Sequence, residues 1–284
     1  KVYAPPNHNG YYAYDKITLA QALALSDNIY AVKTNIFLQP EILVETARQF
    51  GITSDLPAVP SLALGTASVS VMEMTRSYAM LANSGKDVSP HTIKKIADAD
   101  GHIIYERKKE KPMQQLDPNY AFVLTHLMTG IFDETLNDYS LVTGAAIKDM
   151  LTRTYAGKTG STNTDSWMIG FSPQVVTAVW TGYDKDEKMT KVAEHRYARD
   201  IWAKYMEAVH EDLPVQSFKV APDVKAVYLD PDTGHIAGRG CPNKRLTYFI
   251  RGTEPTTTCT LHVPYQDMEK KEKQNGNSIW DWLF

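Results

Sequence analysis

Apolar residues recur at helical spacing over residues 18–37, and the polar run Ser26-Asp27-Asn28 interrupts them. Because short polar side chains of this kind prefer caps and turns to helix interiors, the pattern predicts a helix, an exposed turn and a second helix. Proline and glycine positions, a capping box at Ser70–Glu73 and further apolar periodicity predict four more helices, over residues 40–51, 70–85, 117–132 and 195–210.

Strand-like runs form two groups. Residues 93–96 and 103–105 flank an Asp-Gly pair, which is a strong signal for a β-hairpin. The second group contains residues 155–161, 167–171 and 175–183, with a Ser-Pro-Gln turn between its last two members. It predicts an antiparallel meander, which the helix at 195–210 should cover. The stretch 133–153 lacks firm periodicity and is predicted to be a long loop.

From Leu213 onward the sequence pattern differs, because prolines separate short strand-like segments. A hairpin is predicted at residues 230–234. We therefore interpret residues 1–212 as one large domain and residues 213–284 as a small β-rich C-terminal extension. The aromatic residues within 278–284 are expected to fold back on an apolar surface.

Charge and hydropathy exclude several classes of function. The chain has 30 Lys and Arg against 33 Asp and Glu, a net charge of −3, and no basic block that would track phosphates, so nucleic acid is not expected as a partner. No apolar stretch approaches the roughly 20 residues that cross a bilayer, and the first residues do not resemble a signal peptide. A membrane anchor or export signal is therefore expected upstream of this chain.

Two cysteines, Cys241 and Cys259, bracket a short segment near the C-terminus. They are expected to form a disulfide if the protein is exported, and two free thiols are the alternative. The eight histidines are scattered, and no His/Cys cluster shows metal-ligand spacing. No metal site and no cofactor are expected.

The tripeptide Lys158-Thr159-Gly160 lies in a predicted strand, and the hydroxyls of Ser161 and Thr162 follow it. The lysine supplies a fixed cation, the threonine a donor, and the glycine room for an extended substrate along the strand edge, which suits a terminal carboxylate. The same tripeptide also occurs as ordinary strand and turn. A phosphate loop is improbable because it needs a glycine at position 152, which is threonine.

The run Ser26-Asp27-Asn28 also has two interpretations. One is a helix cap. The other is a serine hydroxyl that relays a proton, with an asparagine amide that holds a substrate carbonyl and bonds a catalytic lysine. The combination is more informative than either part, because Ser-Asp-Asn with Lys-Thr-Gly, after a nucleophilic Ser-x-x-Lys, marks class A β-lactamases and penicillin-binding proteins.

Longer segments resemble the transpeptidase domain of class A (bifunctional) penicillin-binding proteins of the Gram-positive type. Around the two motifs the chain reads YYAYDKITLAQALALSDNIYAVK and AGKTGSTNTDSWMIGFSP, and between them PSLALGTASVSVMEMTRSYAMLANSGKDVSP. The tail GTEPTTTC with His262 is similar to that of several Gram-positive members. The resemblance covers nearly the whole chain and favours a peptidoglycan synthase over a β-lactamase.

The resemblance implies an α/β (α+β) fold of the penicillin-binding protein/β-lactamase type, with an antiparallel sheet flanked by helices. It also implies a D,D-transpeptidase that crosslinks peptidoglycan stem peptides ending in D-Ala-D-Ala, is inhibited by β-lactam antibiotics, and works on the extracytoplasmic face of the bacterial membrane. A glycosyltransferase domain is expected upstream in the same protein.

By the same resemblance, Ser26 relays the proton to the leaving amine and Asn28 holds the donor amide. Lys158 sets the electrostatics for carboxylate binding and proton transfer. The substrate-binding residues are Thr159, Gly160, Ser161 and Thr162, and the backbone N–H of Ser161 joins the oxyanion hole.

One departure from the family pattern is serious, since no serine of the chain has a lysine three residues later. The nucleophilic serine and its lysine are therefore expected upstream of residue 1. Two alternatives stay open, namely a noncatalytic peptidoglycan-binding member or fragment, and a D,D-carboxypeptidase or β-lactamase of the same fold.

Overall fold

Six α-helices and seven β-strands make up the regular structure in the computed structural model, which describes residues 5–7, 10–108, 111–185 and 187–262. The helices are α1 (Leu19–Leu25), α2 (Asn28–Leu38), α3 (Pro40–Gln49), α4 (Val71–Ala82), α5 (Pro118–Met128) and α6 (Tyr197–Val209). The strands are β1 (Lys95–Ala97), β2 (Ile103–Glu106), β3 (Ala156–Ser161), β4 (Asp165–Phe171), β5 (Val176–Gly182), β6 (Val224–Leu229) and β7 (Arg245–Ile250).

The predicted meander is the sheet β3-β4-β5, in which each strand pairs antiparallel with the next. Opposite partners include Lys158 with Ile169 and, one strand further, Ile169 with Ala178. In the ranges that the structure describes, β3 pairs with β4 along one edge and with no strand along its other edge. The Lys-Thr-Gly tripeptide therefore lies on an edge strand.

Both faces of this sheet are covered by helices. On one face, Met168 of β4 packs in a buried cluster with Trp202 and Met206 of α6. On the other face, Phe171 of β4 packs with Leu81 of α4 and with buried residues of α5. Successive residues of a strand point to opposite faces, so β4 is buried on both sides. The expected α/β fold with a helix-flanked antiparallel sheet is thus confirmed.

Polar residues end α1 and start α2, as the sequence predicts. Thr18 and Gln21 form a reciprocal capping box at the start of α1, and α1 ends at Ser26, whose φ of 57° and ψ of 49° are left-handed. Asp27 then caps α2 by accepting a 2.6 Å hydrogen bond from the backbone N–H of Tyr30. The break between the two helices therefore places Ser26 at a partly buried corner.

Several expectations need correction. The stretch 133–153 contains two short 3-10 helices, Glu134–Leu136 and Ala145–Met150, because buried Leu136 and Ile147 anchor them in the core. The predicted hairpin at 230–234 is wrong, since β6 pairs with β7 and only a single bridge, Leu229 to Ile236, spans that turn. The side chain of Asp230 organises the turn, and long-range pairing decides the partner of β6.

The remaining expectations concern domains and the termini. The β6-β7 sheet is separate from the central sheet, and the boundary at residue 212 stays a prediction. The aromatic cluster expected at 278–284 lies outside the described residues. None of the helices in the described ranges has the length and apolar character that crossing a membrane requires.

Candidate active site

Ser26 and Lys158 meet although 132 residues separate them in sequence. The ammonium of Lys158 donates a 2.7 Å hydrogen bond to the hydroxyl oxygen of Ser26, and a second one of 2.9 Å to the carbonyl oxygen of Thr159. The left-handed backbone at Ser26 turns the chain between α1 and α2, and β3 supplies Lys158. A helix corner and a strand edge therefore meet at one hydroxyl and one ammonium group.

Burial perturbs the lysine at this contact. Desolvation lowers the pKa of Lys158 from its usual 10.5 to about 8. A buried ammonium is disfavoured relative to the neutral amine, which is the physical origin of the shift. Lys158 consequently exchanges a proton close to neutral pH, where it is able to act both as a cation and as a proton-transfer group.

Asp27, the middle residue of the first motif, is a buried anchor rather than a solvent-facing group. Its Oδ2 accepts hydrogen bonds of 2.7 Å from the amide of Asn7 and of 2.7 Å from the hydroxyl of Tyr139. Desolvation, with Asp27 as a further cause, raises the pKa of Tyr139, which therefore stays a neutral donor. Sequence analysis missed Asn7 and Tyr139, because no local pattern connects them to the motif.

Asn28 has its own partners within the same corner. Its backbone N–H donates to Oδ1 of Asn7 at 2.8 Å, and its side-chain amide donates to the carbonyl oxygen of Pro6 at 2.8 Å. Over the described ranges, the hydrogen bonds do not join Asn28 to Lys158. The structure thus brings Ser26 to Lys158 directly, while the expected role of Asn28 toward a substrate stays a prediction.

The residues after Lys158 line the rest of the strand edge. Thr159 and Gly160 are half-buried, and Ser161 and Thr162 are exposed. A Cβ on Gly160 would lie 3.3 Å from Cβ of Trp167 on β4. Position 160 therefore has little room for a larger side chain next to Trp167. The hydroxyl of Thr162 accepts from two backbone N–H groups in the turn to β4, at 3.1 Å each, so it organises that turn.

The structure gives Cys241 and Cys259 as free thiols whose sulfur atoms lie within 4.8 Å of each other, and the disulfide between them stays a prediction. Cys241 and Cys259 are both buried free thiols, and each sulfur has another partner. Cys241 Sγ accepts from the backbone N–H of Gly238 at 3.2 Å, and Cys259 Sγ donates to Oδ2 of Asp230 at 3.0 Å. His262 lies close to the same groups, and its separation of three residues from Cys259 is a signal that the sequence analysis did not use.

Comparison with known proteins gives two family matches. The family model of the penicillin-binding protein transpeptidase domain matches residues 3–207, and that of the C-terminal domain of penicillin-binding protein 1A matches residues 220–264. Penicillin-binding protein 2D of Bacillus subtilis is 50% identical over 100% of this chain, which covers 42% of that protein.

Two further comparisons also match penicillin-binding proteins. Penicillin-binding protein 1A of Aquifex aeolicus is 34% identical over 87% of this chain and 33% of its own length. The crystal structure of penicillin-binding protein 1A from Haemophilus influenzae superposes with a TM-score of 0.80 at 26% identity, over 91% of this chain and 43% of that one. The chain thus spans less than half the length of each of these relatives. With a matching family model over most of its length and its two motifs in contact, the chain belongs to the penicillin-binding protein transpeptidase family.

Proposed function

We propose that this chain supplies two of the three catalytic motifs of a serine D,D-transpeptidase that crosslinks peptidoglycan stem peptides. The observation that carries the proposal is the 2.7 Å contact between Lys158 and Ser26. Such convergence of two distant motifs is needed if one substrate is to meet both, whereas an incidental helix cap and an incidental strand require none.

The proposed reaction is acyl transfer in two steps. A serine oxygen attacks the carbonyl carbon of the penultimate D-alanine, and the C–N bond to the terminal D-alanine breaks. The attacking serine gives up its hydroxyl proton, and the departing amine takes up one proton in return, which Ser26 relays through its hydrogen bond with Lys158. An amine of a neighbouring strand then attacks the ester, releases the serine and forms the crosslink.

The substrate is held along the free edge of β3. Extended peptides add to such edges by main-chain hydrogen bonds, and the Lys158 ammonium lies beside that edge to attract the terminal carboxylate. Thr159 and Ser161 are proposed to donate to the carboxylate, while Gly160 and Thr162 shape the strand and its turn. The backbone N–H of Ser161 is proposed to point at the developing oxyanion. Asn28 is proposed to exchange its contact with Pro6 for the donor amide of the substrate.

The nucleophile is proposed to come from a longer protein. No serine of the chain has a lysine three residues later, so no residue here matches the activated serine of the family. That protein is proposed to be membrane-anchored, to work on the extracytoplasmic face of the bacterial membrane, to bind β-lactams and to carry a glycosyltransferase domain as well.

Two assays on the longer protein test the proposal. Incubation with a fluorescent penicillin should give a stoichiometric covalent label, and incubation with stem peptides should give crosslinked dimers. Absence of any label would indicate a noncatalytic binding protein. Release of D-alanine without dimers would indicate a carboxypeptidase of the same fold instead.

A further inference from the structure

Four side chains of the C-terminal region that the Ser26–Lys158 contact does not involve meet at one largely buried point. They are Asp230, Cys241, Cys259 and His262, and one ligand-type atom of each lies within 4.8 Å of the other three. Asp230 is 0% exposed, and the two cysteines are 5% and 6% exposed. The side chain of His262 is 24% exposed, so the cluster is a largely buried group of two thiols, a carboxylate and an imidazole, with His262 on its outer side.

The carboxylate is the group that needs an explanation. Three donors converge on its Oδ2 atom, namely the Cys259 thiol at 3.0 Å, the Thr233 hydroxyl at 2.9 Å and the His262 Nδ1 at 3.1 Å. Within the described ranges, its one ion pair is with Nδ1 of His262 at 3.1 Å, which carries a positive charge only when the imidazole is protonated. A fully buried carboxylate is costly unless it is paired with a cation or coordinates a metal.

The set of atoms matches a tetrahedral metal site. Thiolate, imidazole and carboxylate are the three ligand types of Zn²⁺, with bonds of about 2.0 to 2.3 Å, so neighbouring ligand atoms should lie roughly 3.4 to 3.8 Å apart. Cys259 Sγ is 3.7 Å from His262 Nδ1, and both are near 3 Å from Asp230 Oδ2. Cys241 Sγ lies within 4.8 Å of the other three ligand atoms, so the four groups need to draw closer together around an ion to reach these separations.

The local backbone already holds the ligands as such a site requires. Cys259 and His262 are three residues apart, and the backbone N–H of Cys259 donates to the carbonyl of Ile236 at 2.8 Å, which fixes this strand beside the Asp230 turn. The backbone N–H of Gly238 donates to Cys241 Sγ at 3.2 Å. Hydrogen bonds to a ligating atom orient it and are part of a well-formed metal site.

We propose that Asp230, Cys241, Cys259 and His262 bind one Zn²⁺ ion in a closed structural site. Both thiols lose their protons on binding, and the neutral imidazole supplies Nδ1. All four positions are filled by protein, so the ion takes no part in peptide chemistry. It clamps the end of β6 to the segment that follows β7, in a region too small to bury a core of its own.

The test uses the full-length protein, purified under reducing conditions without chelators. Elemental analysis should find zinc at one ion per chain. Removal with a chelator and titration with Co²⁺ should give the intense sulfur-to-cobalt absorption and the visible bands of a tetrahedral thiolate site. Addition of Zn²⁺ should abolish both signals.

Variants locate the site. Cys259→Ser and Asp230→Asn should weaken Zn²⁺ binding by more than about tenfold, since ligand replacement removes one bond of four. The matched control is His102→Ala in the exposed group Asp98, Asp100 and His102, which should leave zinc content unchanged. Penicillin labelling of each variant reports whether the rest of the protein is folded.

Three outcomes would overturn the proposal. The first is a native mass lower by two hydrogens, which marks a Cys241–Cys259 disulfide. The second is two titratable thiols with no Co²⁺ signal. The third is zinc retained in full by a folded Cys259→Ser variant.

Discussion

At the scale of single residues, the backbone of Ser26 is the most constrained part of the candidate site. Its left-handed conformation, with φ at 57°, costs a non-glycine residue about 1–2 kcal/mol. The backbone N–H of Ser26 lies at the end of α1 and reaches the carbonyls of Ala22 and Leu23, so the corner is held by the helix. A glycine would adopt this conformation with less strain than serine does.

Two substitutions at Ser26 separate the hydroxyl from the backbone. Ser26→Ala and Ser26→Gly both remove the hydroxyl, and both should slow penicillin acylation of the longer protein by about 10²-fold or more. Ser26→Gly should also raise the free energy of unfolding by about 1 kcal/mol relative to Ser26→Ala, because glycine adopts this φ without strain. Rates from stopped-flow labelling and stabilities from urea unfolding measure the two effects. Acylation at the normal rate in both variants would remove Ser26 from the mechanism.

Two substitutions at Lys158 separate its charge from its ability to transfer a proton. Lys158→Ala should slow acylation by orders of magnitude while the fold is kept, since the ammonium lies at a strand edge and not in a hydrophobic cluster. Lys158→Arg keeps the positive charge but does not release a proton near pH 8. It should therefore retain part of the substrate binding, seen in KM, and lack the change in rate near pH 8 that the lowered pKa of Lys158 predicts for the unaltered protein. Unchanged acylation by Lys158→Ala would contradict the assignment.

The same lysine predicts how stability depends on pH. Burial lowers its folded pKa to about 8, below the usual 10.5, so the unfolded chain binds more protons between these values. The unfavourable contribution of the buried charge is complete below pH 8 and disappears as the pH rises to 10.5, so stability due to this group increases over that window. In Lys158→Met, urea unfolding should show a smaller increase over the same window. An identical slope in both proteins would argue against the shifted pKa.

At the scale of elements, the contact between β4 and α6 depends on one glycine. A Cβ on Gly170 would lie inside the contact distance of Cζ2 of Trp202 and 3.0 Å from the carbonyl of Ala156. The indole N–H of Trp202 also lies 3.4 Å from the Gly170 carbonyl oxygen. The helix that covers the sheet behind Lys158 can approach this closely because position 170 has no side chain.

A double-mutant cycle measures this packing. Gly170→Ala should destabilise the protein by about 1–3 kcal/mol through overpacking. Trp202→Phe removes the atom that the new methyl group would strike, so the double variant should be less destabilised than the sum of the two single variants, by about 0.5–3 kcal/mol. Thermal or urea unfolding gives all three values. Strict additivity would show that the methyl group is accommodated elsewhere.

Elements with a local cause were predictable from sequence. The break at Ser26-Asp27-Asn28 follows from side chains that cap helices, and the meander β3-β4-β5 follows from short apolar runs and a tight turn. Elements with a distant cause were not. Leu136 and Ile147 anchor 3-10 helices because they are buried by other parts of the chain, and β6 finds its partner 16 residues beyond its own end.

In the candidate site too, residues with a local sequence signal were predicted and residues brought in from distant parts of the chain were not. Motif residues Ser26 and Lys158 were identified because their types and order are distinctive. Asn7 and Tyr139, which hold Asp27, lie 20 and 112 residues from it and belong to no pattern. The Asp230 cluster was missed because its four members are dispersed over 33 positions, and folding alone brings them together.

At the scale of the whole molecule, the β6-β7 sheet is attached to the main body by a buried arginine. Arg245 donates to Oδ2 of Asp133 at 2.8 Å and to the hydroxyl oxygen of Thr129 at 3.3 Å, directly behind the end of α5. Its side chain is 6% exposed and that of Asp133 is 32% exposed, so the ion pair is only partly shielded from solvent. The C-terminal sheet therefore packs on the helices that support the Ser26 corner.

The chain on its own should form no covalent adduct with penicillin. Ser26 has isoleucine at the position where the family serine has its lysine, and an unactivated hydroxyl is a poor nucleophile near neutral pH. Exposed Phe37, at 85%, and Ile36, at 54%, on α2 further predict self-association of the isolated chain. Intact-mass spectrometry and light scattering test both points, with a version extended upstream as the control. A stoichiometric adduct on the 284-residue chain would show that the nucleophile is misassigned.

The separation of 132 residues between Ser26 and Lys158 also has a consequence for the order of synthesis. At about 5–20 residues per second, on the order of ten seconds pass between the appearance of the two side chains. The α1–α2 corner is local and forms early, but its serine has no lysine to contact until the β3-β4-β5 meander exists. Contacts of such long range form late and slowly. The Ser26–Lys158 contact is therefore expected to be completed late in folding, well after the α1–α2 corner has formed.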